Sequence, residues 1–342
     1  MDFTSVIVFI LVLFIYLHLT SQWKRSEDLE IYEMDYESNA QLQEVCDVKQ
    51  PVLFEFKNVS PDFFAHMNID NASTYDVCVK DTNDYLKETC VDSIIIPFKT
   101  AYPLLKSDPA SHLISEGNED FVEESSMTKY FQTGVDEYLK PSLTVRSKYD
   151  VCMGSDKSHT PLRYHMNSRH YCIVANGTIH VKMAPWKSGK YLNPVSDYEN
   201  YEFFSHMDPW KYNEDKIKFL EFEVQEGYVL YVPPYWWYSI KYDSHDSIVC
   251  TATYNSSMNM VANAKHWMLY FFQQQNIQQK TMKTLDTHHT EGEAEEAGEE
   301  EGADAGESMD MDPSSIIKTL HHIGTDGNTD STHEASVDNG PQ

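Results

Sequence analysis

From Leu143 to Tyr254 the chain is a succession of short apolar and aromatic runs separated by Gly, Pro, Asn and Asp. Tyr171 to Ala175, Ile179 to Met183, Phe219 to Val224, Tyr228 to Val232 and Ile248 to Tyr254 each read as a strand. Many short strands with turn signals between them close on themselves as a sandwich or barrel, because no single strand can bury its apolar face alone. The chain has 342 residues, enough for two domains, but a β-barrel with an N-terminal elaboration can absorb most of that length. Pro51 to Phe56 (PVLFEF) reads as a further strand, whereas Asn58 to Asp120 mixes short helical and loop signals. Helical spacing of Phe121, Met127, Tyr130 and Phe131 predicts a helix over Phe121 to Leu139, closed by Pro141. Met258 to Gln275 is expected as an amphipathic helix with Val261, Ala264, Trp267, Met268, Phe271 and Phe272 on its apolar side.

The two ends are of a different kind. Phe3 to Leu19 is an unbroken apolar run whose only titratable side chains are Tyr16 and His18, near the lower length limit for crossing a bilayer. Asp2 stands where a cleaved signal carries Lys or Arg, no small-residue cleavage site comes after the run, and Trp23, Lys24 and Arg25 supply an interfacial anchor. An uncleaved signal anchor at residues 1–25 is the expectation, with a polar spacer over 26–45. Positive charge after the apolar run places the bulk of the chain on the cytoplasmic side. Four N-x-S/T sequons, at Asn58, Asn71, Asn176 and Asn255, argue weakly for the opposite orientation.

At the other end, residues 276–342 are low in complexity and acidic, with sixteen Asp and Glu against one Lys from Asp286 onward. That composition does not bury a core, so a disordered tail is expected. Ser314 to Ile323 within it has the pattern of a short amphipathic turn that a protein partner could order, and the His288–His289 and His321–His322 pairs are expected in solvent. The tail accounts for about half of the net charge of −28. The remainder is only mildly acidic and has no basic cluster, which disfavours nucleic acid as a partner. Six cysteines are scattered without metal-ligand spacing, and buried reduced thiols are the plain reading.

Two segments are more specific. Tyr149 to Pro185 (YDVCMGSDKSHTPLRYHMNSRHYCIVANGTIHVKMAP) and Phe219 to Ile248 (FLEFEVQEGYVLYVPPYWWYSIKYDSHDSI) stand in this order along the chain. The first resembles the JmjC/cupin-like signature: a Gly-Ser loop leading to T-P-L-H-x-D, an aromatic strand, a turn and a strand ending in proline. Gly154, Ser155, Thr160, Pro161, Leu162, Tyr171, Cys172 and Pro185 fall in step with it. The second resembles the later G-D-x-L-x-x-P-x-x-W-W-H signature through Gly227, Leu230, Val232, Pro233, Pro234, Trp236, Trp237, Ser247 and Ile248. Pro51 and Val52 are similar to the strand that opens such domains. The likeness spans residues 46–275, with the barrel at about 143–255. In its anchor, divergent domain and polar tail the chain is also similar to membrane-anchored cupin-like proteins of large DNA viruses and protists.

The resemblance implies a mainly β fold with flanking helices, a double-stranded β-helix of the cupin or jelly-roll kind. Such domains commonly hold Fe(II) through two His and one carboxylate, with 2-oxoglutarate as cosubstrate. Carried over by position, the first His falls on Arg163, the carboxylate on His165 and the distal His on Tyr238. The oxoglutarate-binding Lys falls near Thr178, and Thr160 is the other cosubstrate-position residue. Arg163 has no lone pair to offer and carries a permanent positive charge. A phenol is a poor Fe(II) ligand at neutral pH, which leaves His165 as the one metal candidate.

On these grounds no cofactor is expected, and the chain is read as a catalytically inactive, membrane-anchored binding or structural module. An Fe(II)- and 2-oxoglutarate-dependent protein hydroxylase with unusual ligands is the alternative. A second alternative is a metal-free small-molecule binder, in which Arg163, His165 and Tyr238 converge on a cationic pocket. Period-two alternation puts Arg163 and His165 on one face, and His159 or His245 are conceivable partners for His165. His170 and His180 have no evident tie to that interior.

Overall fold

The computed structural model describes residues 3–67, 74–211, 216–276 and the short strand 283–284. Helix α1 (Phe3–Gln22) is exposed along its apolar length. It is long and apolar enough to cross a membrane, a description that a signal sequence shares. The rest is a mixed arrangement of two large sheets with short helices around them, α2 (Asn39–Cys46), α3 (Pro61–His66), α4 (Phe98–Ser107), α5 (Glu119–Glu124), α6 (Thr128–Phe131), α7 (Glu137–Leu139), α8 (Ser257–Ala262) and α9 (Ala264–Asn276). The tail over 285–342, including the Ser314 to Ile323 segment and His288, His289, His321 and His322, lies outside the described residues.

The strands, in chain order, are β1 (Tyr32–Glu33), β2 (Val52–Glu55), β3 (Asp76–Asp81), β4 (Ile94–Pro97), β5 (Leu113–Ser115), β6 (Thr144–Gly154), β7 (Leu162–Tyr164) and β8 (Arg169–Asn176). After them come β9 (Thr178–Ala184), β10 (Val195–Asp197), β11 (Glu202–Ser205), β12 (Leu220–Gln225), β13 (Tyr228–Tyr231), β14 (Trp237–Tyr242), β15 (Ile248–Ser256) and β16 (Lys283–Thr284). One sheet runs β1-β2-β13-β8-β15-β6-β5-β3-β4-β16 and the other β10-β11-β7-β14-β9-β12. Every strand expected from the alternation between Leu143 and Tyr254 is present.

The two sheets share one core. Cys172, Val174, Leu230 and Val249 from the larger sheet meet Ile179, Val181, Met183 and Ile240 from the smaller, all buried. Burying a side chain of this size is worth about 1.5–3 kcal/mol, so this layer holds the sheets face to face. Trp236 and Trp237 of the PPYWW segment are fully buried on successive positions. Being adjacent on an extended backbone they point to opposite faces, Trp236 into the shared core and Trp237 into a second aromatic cluster with Tyr164, Phe203 and Tyr235. Gly154 lets β6 pass close to Tyr242, since a Cβ there would collide with the ring.

Three sequence expectations need correction. The stretch from Asn58 to Asp120 is not only helix and loop: β3, β4 and β5 extend the large sheet through antiparallel pairing with one another and with β6. Their runs are short and interrupted by Lys80 and Ser115, so the alternation is too weak to read. The spacer at 26–45 is part of the fold, because Tyr32–Glu33 pairs parallel with Val52–Leu53 and helix α2 (Asn39–Cys46) is capped by Ser38. The helix expected over Phe121 to Leu139 is broken at Ser126, which has φ +61°. The remaining piece contains a π-helical turn (Gln132–Asp136) that brings Gly134 against Phe63.

Candidate functional site

Local register assembles the site. In the smaller sheet β14 lies beside β7, and Tyr238 is the direct cross-strand partner of Arg163. Directly opposed residues in an antiparallel pair share a face, and the Arg163 guanidinium lies 5.6 Å from the centre of the Tyr238 ring. His165 comes immediately after β7. Its carbonyl accepts the Tyr235 N–H at 2.8 Å from a tight turn over Pro233–Trp236, in which Tyr235 has φ +67°. A bulky residue at positive φ costs on the order of 1–3 kcal/mol, so the PPYWW turn is strained at the point where it touches the site.

Arg163, His165 and Tyr238 all line one cavity of about 250 Å³ between the sheets. Thr160 and Thr178 do not line it. Thr160 is consumed by β14, its hydroxyl accepting the Ile240 N–H and its carbonyl accepting the Ser239 hydroxyl. Thr178 offers its carbonyl to the Ser247 hydroxyl. His159 and His245 are also absent from the lining, engaged with Asp208 and Asp246 respectively.

His170 was missed by sequence reasoning, and it is central. Its ring lies 4.8 Å from that of His165 and 5.9 Å from that of Tyr238. The signal was present in β8, where His170 has the same parity as the inward Cys172 and Val174. Glu116 was also missed. It stands just after β5, more than forty positions before Arg163, and nothing local marks it. Arg163 donates to both Glu116 carboxylate oxygens, at 2.8 and 2.7 Å. Behind that pair Lys80 donates to Glu202 at 2.7 Å and to the Tyr85 hydroxyl at 3.0 Å, while Tyr85 donates to Glu202 at 2.9 Å. Lys80 also stands 3.7 Å from Glu116.

Two cations, two carboxylates and a phenol therefore pair with one another under the cavity, with the Arg163 Nε left as a buried donor without a hydrogen bond. Burial works to raise the Glu116 carboxyl pKa, but Arg163 and Lys80 overcome it and hold the group well below the usual carboxylate range. The expected cationic pocket is not what the residues make, because Glu116 neutralises Arg163 in a bidentate, charge-assisted pair.

The imidazoles are equally committed. His165 donates from Nε2 to the Val232 carbonyl at 3.1 Å and accepts the Asn167 N–H on Nδ1 at 3.2 Å. A carbonyl can only accept, so these partners fix the neutral tautomer and occupy its lone pair. Burial, then His170, pushes the His165 pKa far below its ordinary value. His170 Nδ1 is bonded to the Thr253 hydroxyl at 2.8 Å, and its Nε2 faces Tyr238 Oη at 3.5 Å. Burial and then Arg163 lower its pKa to about 3. Burial raises the Tyr238 phenol, which stays protonated.

These residues do not fit an Fe(II) centre built from two His and one carboxylate. The position of the first ligand carries a cation, the second has its lone pair in use, and the third is a neutral phenol. Among the described residues no group of three or more His, Cys, Asp or Glu side chains comes together as a metal-holding set. None of the six cysteines is in a disulfide, and Cys46, Cys152, Cys172 and Cys250 are buried. No protein-family model matches the chain, and no curated protein matches it significantly.

Proposed function

We propose that the chain is a membrane-anchored JmjC/cupin-like scaffold in which a self-satisfied polar network stands where active members of that family hold iron, and that it acts as a binding or structural module. The observation that carries this reading is the bidentate Glu116–Arg163 pair beneath His165 and Tyr238. The other two positions are engaged separately, His165 with Val232 and Asn167 and Tyr238 with His170.

The strand order supports the scaffold. Taking β6, β7, β8, β9, β12, β13, β14 and β15 as one to eight, the larger sheet contains the run six-three-eight-one. The smaller contains two-seven-four-five. Two interleaved Greek keys of this order make a jelly roll. The residues just after α1 support a retained anchor: Trp23 donates its indole N–H to the Ala262 carbonyl at 3.3 Å. Arg25 lies within 4.4 Å of the centres of the Trp186 and Tyr235 rings.

Size weighs against the small-molecule alternative. A cavity of about 250 Å³ is below the roughly 300–1,000 Å³ of ordinary ligand pockets, and its charges are already paired. The test is succinate formation from 2-oxoglutarate by the full chain in detergent, with Fe(II) and ascorbate. No turnover above the enzyme-free background is expected. Iron-dependent turnover would overturn the reading in favour of a hydroxylase with unusual ligands.

A further inference from the structure

Helix α9 (Ala264–Asn276) buries only part of the apolar side that its sequence marks. The pattern predicts an apolar side packed on the domain, but the described structure breaks the segment at Asn263, after helix α8 (Ser257–Ala262). It then packs only the Trp267 edge of that side, together with the flanking His266 and Tyr270. Trp267 stacks on Tyr201 with centroids 4.6 Å apart, Tyr270 meets the same ring at 5.3 Å, and His266 shares a hydrogen bond of 3.0 Å with Tyr198. Met268, Phe271 and Phe272, which form one stripe at helical spacing, are 56%, 59% and 55% exposed. Val261 at the end of α8 is 59% exposed. Leaving such side chains in water forfeits burial that turning the helix would have gained.

What covers the stripe is indicated by its surroundings. Trp23, the residue after α1, is hydrogen-bonded to the Ala262 carbonyl, so the end of the apolar helix is held to the end of α8, two residues before α9 begins. At about 1.5 Å per residue, Phe271 lies roughly 12 Å along α9 from that junction, close to where α1 would leave a bilayer. Charge agrees. Ser257 to Asn276 contains no Asp or Glu, in a protein with 54 acidic residues. A surface that approaches lipid is depleted of acidic groups for the same reason that an interfacial helix carries its apolar stripe towards the acyl chains.

We propose that α9 is an interfacial helix whose Met268–Phe271–Phe272 stripe lies at the headgroup–acyl boundary of the leaflet that α1 leaves, holding the domain flat against the bilayer. This rests on the reading of α1 as a retained membrane anchor. The partner is the lipid surface itself. α1 fixes the domain to the membrane and α9 fixes its orientation.

The test uses the full chain in phosphatidylcholine vesicles doped with a phospholipid carrying a diazirine midway along one acyl chain. After irradiation and proteolysis, lipid adducts are mapped by mass spectrometry. Adducts are expected on α1 and on the segment from Val261 to Phe272. A Phe271→Ser/Phe272→Ser variant should lose the second set several-fold and keep the first. Adducts on α1 alone would overturn the proposal while leaving the anchor intact, as would unchanged labelling of α9 in the variant. No adducts on either helix would sink the anchor reading together with it.

Discussion

The cavity between the sheets and the outer face of α9 treat polarity in opposite ways. In the interior, charged groups that cost free energy to bury are matched almost completely, Arg163 with Glu116 and Lys80 with Glu202 and Tyr85. On the surface, the apolar side chains of Met268, Phe271 and Phe272 are left more than half exposed. The contrast separates two kinds of constraint. A buried ion network is held by the protein alone and should be sensitive to the loss of any one partner. The α9 stripe is more than half exposed, so its substitution should have little effect until a bilayer is present.

The sharpest way to break that contrast is to remove one partner from each region and compare stability in detergent. Glu116→Leu leaves Arg163 buried without its counter-charge and should destabilise the fold by about 3–5 kcal/mol. Adding Arg163→Met should recover most of that loss, because an apolar pair needs no compensation. Phe271→Ser/Phe272→Ser should stay within about 0.5 kcal/mol per site, as exposed substitutions do. Denaturant unfolding of the four proteins reads all of these values. Equal losses in the two regions, or no recovery in the double variant, would contradict the account.

A pH titration sharpens the interior half. His165 and His170 are held neutral, with pKa values below the ordinary 6.5. The unfolded chain therefore takes up protons that the folded chain refuses as pH falls. Their contribution to stability is fully present above pH 6.5 and is lost progressively below it, towards about 3 for His170. Each should contribute a slope of up to about 1.4 kcal/mol per pH unit. Glu116, whose pKa is depressed from 4.5, adds its loss only at lower pH. His170→Gln should remove one histidine's share of the slope between pH 6 and 4. A slope unchanged in the variant would mean that His170 is not buried neutral.

The smallest expected effect concerns the sequons. Asn58 and Asn176 are exposed, whereas Asn255 is buried, with hydrogen bonds to Asn167 and the Ser168 N–H. If the domain is expressed where glycosylation occurs, peptide mapping should find Asn255 unmodified. A glycan there would require β15 to be displaced from the core.

The parts of this picture that were legible in the sequence are those set by short-range rules. Alternation located β8, β9, β12, β13 and β15, and the resemblance of the TPLR and PPYWW segments to the JmjC/cupin signature singled out Arg163, His165 and Tyr238, which line one cavity. Two things were illegible for different physical reasons. Glu116, Lys80 and Glu202 reach the site through long-range sheet pairing, which leaves no local mark, and β3 to β5 are too short for periodicity to register. Helix α9 has a clear amphipathic pattern, but periodicity identifies a stripe without saying whether protein or lipid covers it. His170 lies between these cases, since the parity of β8 contained it.

The central claim is that protein groups have taken over the positions at which active JmjC/cupin domains hold iron. Anaerobic calorimetry of Fe(II) binding to the full chain in detergent tests it most directly, with and without 2-oxoglutarate. The control is an Arg163→His/His165→Asp/Tyr238→His variant that places the ligand set of the JmjC/cupin signature at these positions. Negligible heat from the native chain and stoichiometric binding by the variant are the predicted pair of results. Stoichiometric micromolar binding by the native chain would contradict the account and point to ligands around His165 and His170.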